Sequence, residues 1–307
     1  MSVLFFAPIP RVALWGGSSV KRIFNYQDFS DQVGQAWAFS GLQEASNLCL
    51  SAPYEGKSLR ELWENNQALF GHQKGEFPLI ISLVAPEEDL SIQVHPDDAY
   101  AKKIGFPTGK NEAWYFIKPP TSGQIVYGHK AKDKTEMDDY VQNEAWYELI
   151  DHLDVKEKDF VYLPAGMLHA LQKGSVVYEI QEATDVTYRF FDYNRKDADG
   201  NARELHLEQA LACVRYGELD TIEAPVVSGA KTTYVANHAF TVTKLDVSGM
   251  LQFQDFVYQL ATVVAGKGRV DGIDVEVGSN FLIPVNEPVI FTGEMTVMMT
   301  TKAGETQ

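Results

Sequence analysis

Gln93 and His95 stand two residues apart in "LSIQVHPDD", a segment that reads as the end of a buried strand closed by Pro96. Side chains at i and i+2 of a strand point to one face, so an amide and an imidazole are presented side by side. Glu112 in "GKNEAWYF" and His169 in "LPAGMLHAL" occupy similar strand-end positions beside turns. Any one of the four is ordinary, since strand-end polar groups usually serve only as hydrogen-bond partners. Together they make a nitrogen and oxygen donor set with no sulfur, of the kind zinc accepts while keeping a position open for water or substrate. Two neutral imidazoles, a neutral amide and one carboxylate would leave a divalent ion with net positive charge, hence an effective Lewis acid. Iron in a two-histidine, one-carboxylate setting is the competing metal, and spacing does not separate the two.

The elements that must hold these residues are mostly short strands. "FPLIISLVAP", "EAWYFIK", "GQIVYGH", "DFVYLPAG", "SVVYEIQEA" and "VTYRFFDY" are β-rich runs bounded by Gly, Pro and Asp, the pattern of a β-sandwich or barrel. Helices are expected in three places. "SLRELWENNQALFG" opens with Ser58 and Glu61 at capping-box spacing and stops before Gly71. "PDDAYAKKIG" runs from acidic residues to Gly105, and "ELHLEQALACVRYG" carries an apolar helical face that stops at Gly217. "IEAPVVSGAKTT" reads as a linker, and from Tyr234 onward strands and turns suggest a second, smaller barrel. Its "NFLIPVNEPVIFT" echoes "DFVYLPAGMLHAL"; aligning Pro284 with Pro164 sets Val289 opposite His169. A duplication that lost its polar face would leave the site in the first half. The expected division is residues 1–225 for the site-bearing domain and 226–307 for a metal-free one.

At 307 residues the chain suits about two domains. Apolar residues at 45% and charged residues at 22% describe an ordinary soluble composition. No apolar run approaches a membrane span, and the N-terminus lacks a basic signal-peptide region. Cys49 and Cys213 form no pairing pattern and read as packing, which points to a cytoplasmic protein without disulfides. The net charge of -16 argues against nucleic acid. An anionic ligand would need its own local cations.

Taken together, "ALWGG", "GKSLRELW", "PLIISLV", "LSIQVHPDD", "GKNEAWY", "YLPAGMLHAL", "YEIQEATDVTYRFFDYNR" and "RELHLEQAL" make the chain resemble the type I phosphomannose isomerases. These are zinc-dependent mannose-6-phosphate isomerases of the cupin superfamily, here in their short bacterial form. The resemblance covers most of the first 220 residues. It implies two cupin-like jelly-roll barrels, with helices inserted in and following the first. It further implies one zinc ion per chain on Gln93, His95, Glu112 and His169, with a sugar phosphate as substrate and a monomeric or homodimeric state.

The same likeness marks Lys110, Glu179, Asp185 and Arg189 as catalytic positions, and Ser91 and Arg195 as phosphate contacts. Longer members end the last stretch in lysine and carry a helical insertion missing here. Gln181 and Glu182 replace an expected small polar pair. Arginine suits phosphate through its fork of donors. Arg189 is better fitted to stabilising an enediolate than to taking a proton. The general base stays open among Glu179, Asp185, Lys110, His95 and a water on the metal. Trp15, Trp114 and Tyr178 are candidate apolar walls. Two rivals from other classes are an iron cupin dioxygenase and a non-catalytic sugar-phosphate sensor. The first would leave Lys110 and Arg189 without a role, and the second would not need a Lewis acid.

Overall fold

The computed structural model describes residues 3–196 and 200–302. With 43% strand against 14% helix, the chain is mainly β as expected. In order, β1 (Leu4–Phe5) and β2 (Ile9–Gly17) precede α1 (Ser19–Ile23), β3 (Val33–Leu42) and β4 (Ala45–Ser46). Helix α2 (Leu59–Asn65) leads to β5 (Leu79–Val84), β6 (Ile92–Val94), α3 (Asp98–Lys103), β7 (Glu112–Lys118) and β8 (Gln124–His129). Then come α4 (Lys134–Gln142), α5 (Trp146–Leu149), β9 (Ile150–Asp154), β10 (Phe160–Leu163), β11 (His169–Ala170), β12 (Val176–Glu182) and β13 (Tyr188–Phe191). Helix α6 (Leu207–Cys213) is followed by β14 (Val226–Ser228), β15 (Lys231–Ala236), β16 (Thr241–Phe253) and β17 (Gln259–Val270). The last strands are β18 (Ile273–Glu276), β19 (Asn280–Ile283) and β20 (Val289–Thr301).

These strands form three open sheets, and none closes into a barrel among the described residues. One runs β10-β7-β12-β5-β3-β2, a second β13-β6-β11-β8-β9, and the third β1-β19-β17-β20-β16-β15-β14. The first two face each other across a core that includes Trp15, Trp114, Phe116, Ile125, Leu163 and Val177. Strand alternation decides which residues look inward. Along β7, Glu112, Trp114 and Phe116 face this interior, while Ala113 and Tyr115 turn to the opposite side. There the sheet packs on the third one through Tyr178, Ile180, Tyr258, Leu260 and Met298. The outer face of the five-stranded sheet is covered by the helices through Met137, Leu149, Ala210 and Cys213. Both cysteines are buried and free, as packing residues should be.

The capping box at α2 is complete. Glu61 N–H donates to Ser58 Oγ at 3.1 Å and Ser58 N–H to Glu61 Oε2 at 2.7 Å. Helices α1, α4 and α5 lie outside the three expected ones. Helix α4 fully buries Met137 alone and sets Tyr140 and Val141 half-buried beside it, a short apolar face in a mostly charged and polar segment. Helix α6 ends at Cys213, before the expected stop at Gly217, because Val214 already has extended backbone. The stretch read as a linker instead forms β14 and its hairpin with β15; its Val226 and Val227 are exposed, which gives strand residues a loop-like context. Strand β1 pairs with β19, so the first residues of the chain complete the sheet of the last.

Candidate metal centre and substrate site

The site lies between the two facing sheets. Gln93 on β6 is directly opposite His169 on one side and Arg189 on the other, and His169 is opposite Tyr127. Directly paired residues of antiparallel strands share a face. One cross-strand row therefore presents Arg189, Gln93, His169 and Tyr127 to the interior. Glu112 opens β7 on the facing sheet, paired with Leu163 and Gln181.

The ligand atoms of His95, Glu112 and His169 all fall within 4.8 Å of one another. His95 Nε2 is 3.2 Å from Glu112 Oε1, and His169 Nε2 is 3.3 Å from Glu112 Oε2. All three residues are buried. His95 Nδ1 lies 2.8 Å from the Val186 carbonyl and His169 Nδ1 lies 2.9 Å from the Met167 carbonyl. A carbonyl only accepts, so each ring carries its proton on Nδ1 and aims the lone pair of Nε2 at a carboxylate. Burial pushes His95 down to about 4, so its ring is neutral near pH 7. Two lone pairs and a carboxylate then converge with no proton between them, and His95 Nε2 and Glu112 Oε2 have no hydrogen-bond partner. A divalent cation fits that arrangement, with the backbone carbonyls acting as the outer supports typical of histidine ligands. Gln93 is adjacent, its side-chain amide 3.5 Å from His169 Nε2.

Lys110 is buried with Nζ 3.1 Å from Glu112 Oε1. Burial opposes ionisation of Glu112, yet His95, once protonated at acid pH, and the charge of Lys110 hold its pKa well below the usual carboxylate range. Glu179 faces the same interior from β12. Its Oε1 accepts from Trp114 Nε1 at 2.9 Å and its Oε2 from Gln181 Nε2 at 2.9 Å. Burial, then the negative charge of Glu112, raises Glu179 to about 7. Trp114 also sets its edge against the His169 ring, with centroids 5.6 Å apart.

Three arginines gather at one end of this site. Arg189 is half-buried; its Nη1 donates to the Glu204 carbonyl at 2.6 Å, while its Nε has no hydrogen-bond partner among the described residues. Arg195 donates to the Asp89 carbonyl, two residues before Ser91, and to the Asp192 carboxylate. Tyr193 and Asn194 have positive φ, so the chain turns between Arg189 and Arg195 instead of running on as a strand. Arg203, which sequence spacing did not single out, bonds Asp192 Oδ2 through Nε at 2.7 Å. A bridge between Lys196 and Ala202 sets Arg195 and Arg203 side by side, a closure that linear spacing does not reveal. Burial lowers the Arg189 pKa, and repulsion from Arg203 and Arg195 adds to it, so the three cations lie within electrostatic reach of one another.

The remaining expected residues divide. Ser91 is buried at an alternate position with Gln93 and His95. Asp185 is exposed, lining a cavity with Thr108 and Lys302, and its carboxylate makes no hydrogen bond or ion pair among the described residues. Its neighbour Val186 supplies the carbonyl for His95. Trp15 and Trp114 lie in the core that adjoins the site, whereas Tyr178 turns to the other face and bonds Thr300 Oγ1 at 2.9 Å. Tyr178 is thus no wall of the pocket: it is one residue out of phase with Glu179. Val289, which the sequence echo aligns with His169, is fully buried among Phe253, Phe281 and Phe291.

Residues 9–118 match the family model for the catalytic domain of type I phosphomannose isomerase. The chain is 36% identical over 274 residues to the mannose-6-phosphate isomerase ManA of Bacillus subtilis, covering 87% of each chain. It is 36% identical over 262 residues to the mannose-6-phosphate isomerase of Streptococcus mutans, covering 84% of this chain and 83% of that one. A crystal structure of the Bacillus subtilis mannose 6-phosphate isomerase superposes with a TM-score of 0.92 at 32% identity, covering 98% of this chain and 100% of that one. Phosphomannose isomerase structures from Salmonella typhimurium share the fold, with a TM-score of 0.79 at 14% identity. By identity sustained along nearly its whole length, this chain belongs to the type I phosphomannose isomerase family.

Proposed function

We propose that this protein interconverts mannose 6-phosphate and fructose 6-phosphate by moving a proton between C1 and C2 through an enediol. The observation that carries the reading is the buried His95, Glu112 and His169 cluster, with both rings oriented by backbone carbonyls, in a chain whose relatives bear that activity in their names. Zinc held by these three residues and Gln93 would polarise the sugar carbonyl and stabilise the charge that builds on its oxygen.

The chain's own groups supply the rest. Glu179, held by Trp114 and Gln181 with a pKa of about 7, is suited to take a proton and return it. Asp185, exposed and unpaired, is the weaker candidate for that role. Lys110 keeps Glu112 ionised and adds positive charge beside the reacting oxygens. Arg189 shares the row of Gln93 and His169, which suits it to stabilising the enediolate. Arg195, Ser91 and Arg203 would hold the phosphate dianion, with Asp192 bracing both guanidinium groups. Arg189, Arg195 and Arg203 outnumber the Asp192 and Glu204 carboxylates that act on them, a local cationic cluster suited to an anion in a chain of net charge -16.

We read residues 1–225 as the catalytic cupin-like lobe and 226–307 as a metal-free one. Support comes from the apolar surroundings of Val289. A coupled assay for fructose 6-phosphate, run with and without a chelator, tests the function. Turnover should vanish on metal removal and return with zinc. Unchanged turnover in fully metal-free protein would overturn the metal's role, and no turnover with zinc present would favour a sensor.

A further inference from the structure

Glu182 has no place in the chemistry above, yet its carboxylate is 1% exposed. Its Oε1 accepts from Lys302 Nζ at 2.8 Å, and its Oε2 accepts from Asn111 Nδ2 at 2.7 Å and from the Asn111 backbone N–H at 3.2 Å. Glu182 N–H donates in turn to the Asn111 carbonyl at 3.1 Å. Asn111 passes the contact on, accepting through Oδ1 from the Ala165 backbone N–H at 3.1 Å. Next to it, Gly166 N–H donates to the His95 carbonyl at 2.9 Å. Asn111 stands between Lys110 and Glu112, and the Ala165–Gly166 turn leads to Met167, whose carbonyl orients the His169 ring. One buried carboxylate therefore ties together the backbone behind Glu112, the turn before His169 and the carbonyl of His95. Its charge is balanced by a lysine that follows β20, at the far end of the chain.

We infer that Glu182, Asn111 and Lys302 form a positioning strap that fixes the spacing of the three metal-binding side chains from behind the sheet, with the last strand's lysine as its anchor. This rests on the metal reading above. The strap touches neither ion nor substrate, so it acts through the ligands. Outer supports of this kind are commonly worth 10- to 100-fold in metal affinity. The opposing view makes Lys302 and Glu182 a fastener between two sheets and no more. Tyr178 provides the control, because its hydroxyl makes a separate buried hydrogen bond across the same interface, to Thr300.

Zinc affinity measured by competition with a chromophoric chelator, beside thermal unfolding, distinguishes these views on the full chain. Wild type should bind one zinc. Glu182→Gln should weaken that binding about tenfold or more. Lys302→Gln should act in the same direction, Lys302→Arg should restore affinity, and Asn111→Ala combined with Glu182→Gln should weaken it little further than either alone. Tyr178→Phe should lower the melting temperature and leave zinc affinity unchanged. Wild-type affinity in both Glu182→Gln and Lys302→Gln would overturn the strap, as would an equal loss in Tyr178→Phe. A wild-type chain that binds no zinc would overturn the metal reading and the strap with it, so the two failures look different. If Glu182→Gln does not fold, the Lys302→Gln and Lys302→Arg pair decides.

Discussion

Two imidazoles whose Nδ1 protons are committed to backbone carbonyls have one lone pair each to offer, and both offer it to the same place. His95→Ala and His169→Ala should each lose the metal, as elemental analysis of dialysed protein would show; a full equivalent retained in both would sink the assignment. Arg189 and Arg195 should separate kinetically. Arg189→Ala is expected to lower kcat by on the order of 10² or more, since its charge is felt mainly as the enediolate forms. Arg195→Ala should chiefly raise KM, and Arg203→Ala should raise it about tenfold, the loss of one charge-assisted hydrogen bond. Steady-state kinetics with those effects interchanged would reverse the roles. Asp192 adds a pH test. Burial pushes its pKa up, but the hydrogen bonds and charges of Arg203 and Arg195 outweigh that and hold it below the ordinary 3.8. The unfolded chain then binds the proton first as pH falls, so the pairing stabilises the fold fully above 3.8 and less as pH drops through the native value. Denaturation of Asp192→Asn should show a loss near neutral pH that shrinks as pH falls below 3.8.

Elements differ in how openly the sequence declares them. Ser58 and Glu61 announced α2, and both reciprocal hydrogen bonds form. Ser58→Ala should therefore cost about 1 kcal/mol in denaturant unfolding. The alternation of "QVH" puts Gln93 and His95 on one face, and both do lie beside His169 although β6 itself ends at Val94. Helix α4 was missed although it leaves a faint trace, with Asp133 as its N-cap and Met137, Tyr140 and Val141 on one short face of an otherwise polar segment. Arg203 was illegible for another reason: its nearness to Arg195 is a loop closure, and no local pattern encodes it. Tyr178 was misread through a phase error of one residue, which in a strand is the difference between the site and the opposite core. In the far sheet Val289 sits in an aromatic and aliphatic cluster with Phe253, Phe281 and Phe291. Two tightly bound ions per chain would contradict that picture.

At the scale of the whole molecule, metal and fold should be linked, because a ligand set assembled from β6, β7 and β11 exists only in the folded state. Chelation should lower the melting temperature, and added zinc should restore it in a concentration-dependent way. The pairing of β1 with β19 has a consequence for how the protein is made. Leu4 and Phe5 leave the ribosome long before their partners, Leu282 and Phe281, have been synthesised. Until then the apolar back of the first sheet, with Tyr115, Ile180 and Tyr178, lacks the cover that the third sheet gives it. A chain stopped at residue 225 would carry that surface permanently, and should collect in the insoluble fraction while the full-length protein stays in solution. Residues 1–225 should thus depend on chaperones during synthesis until the strands that follow them are made.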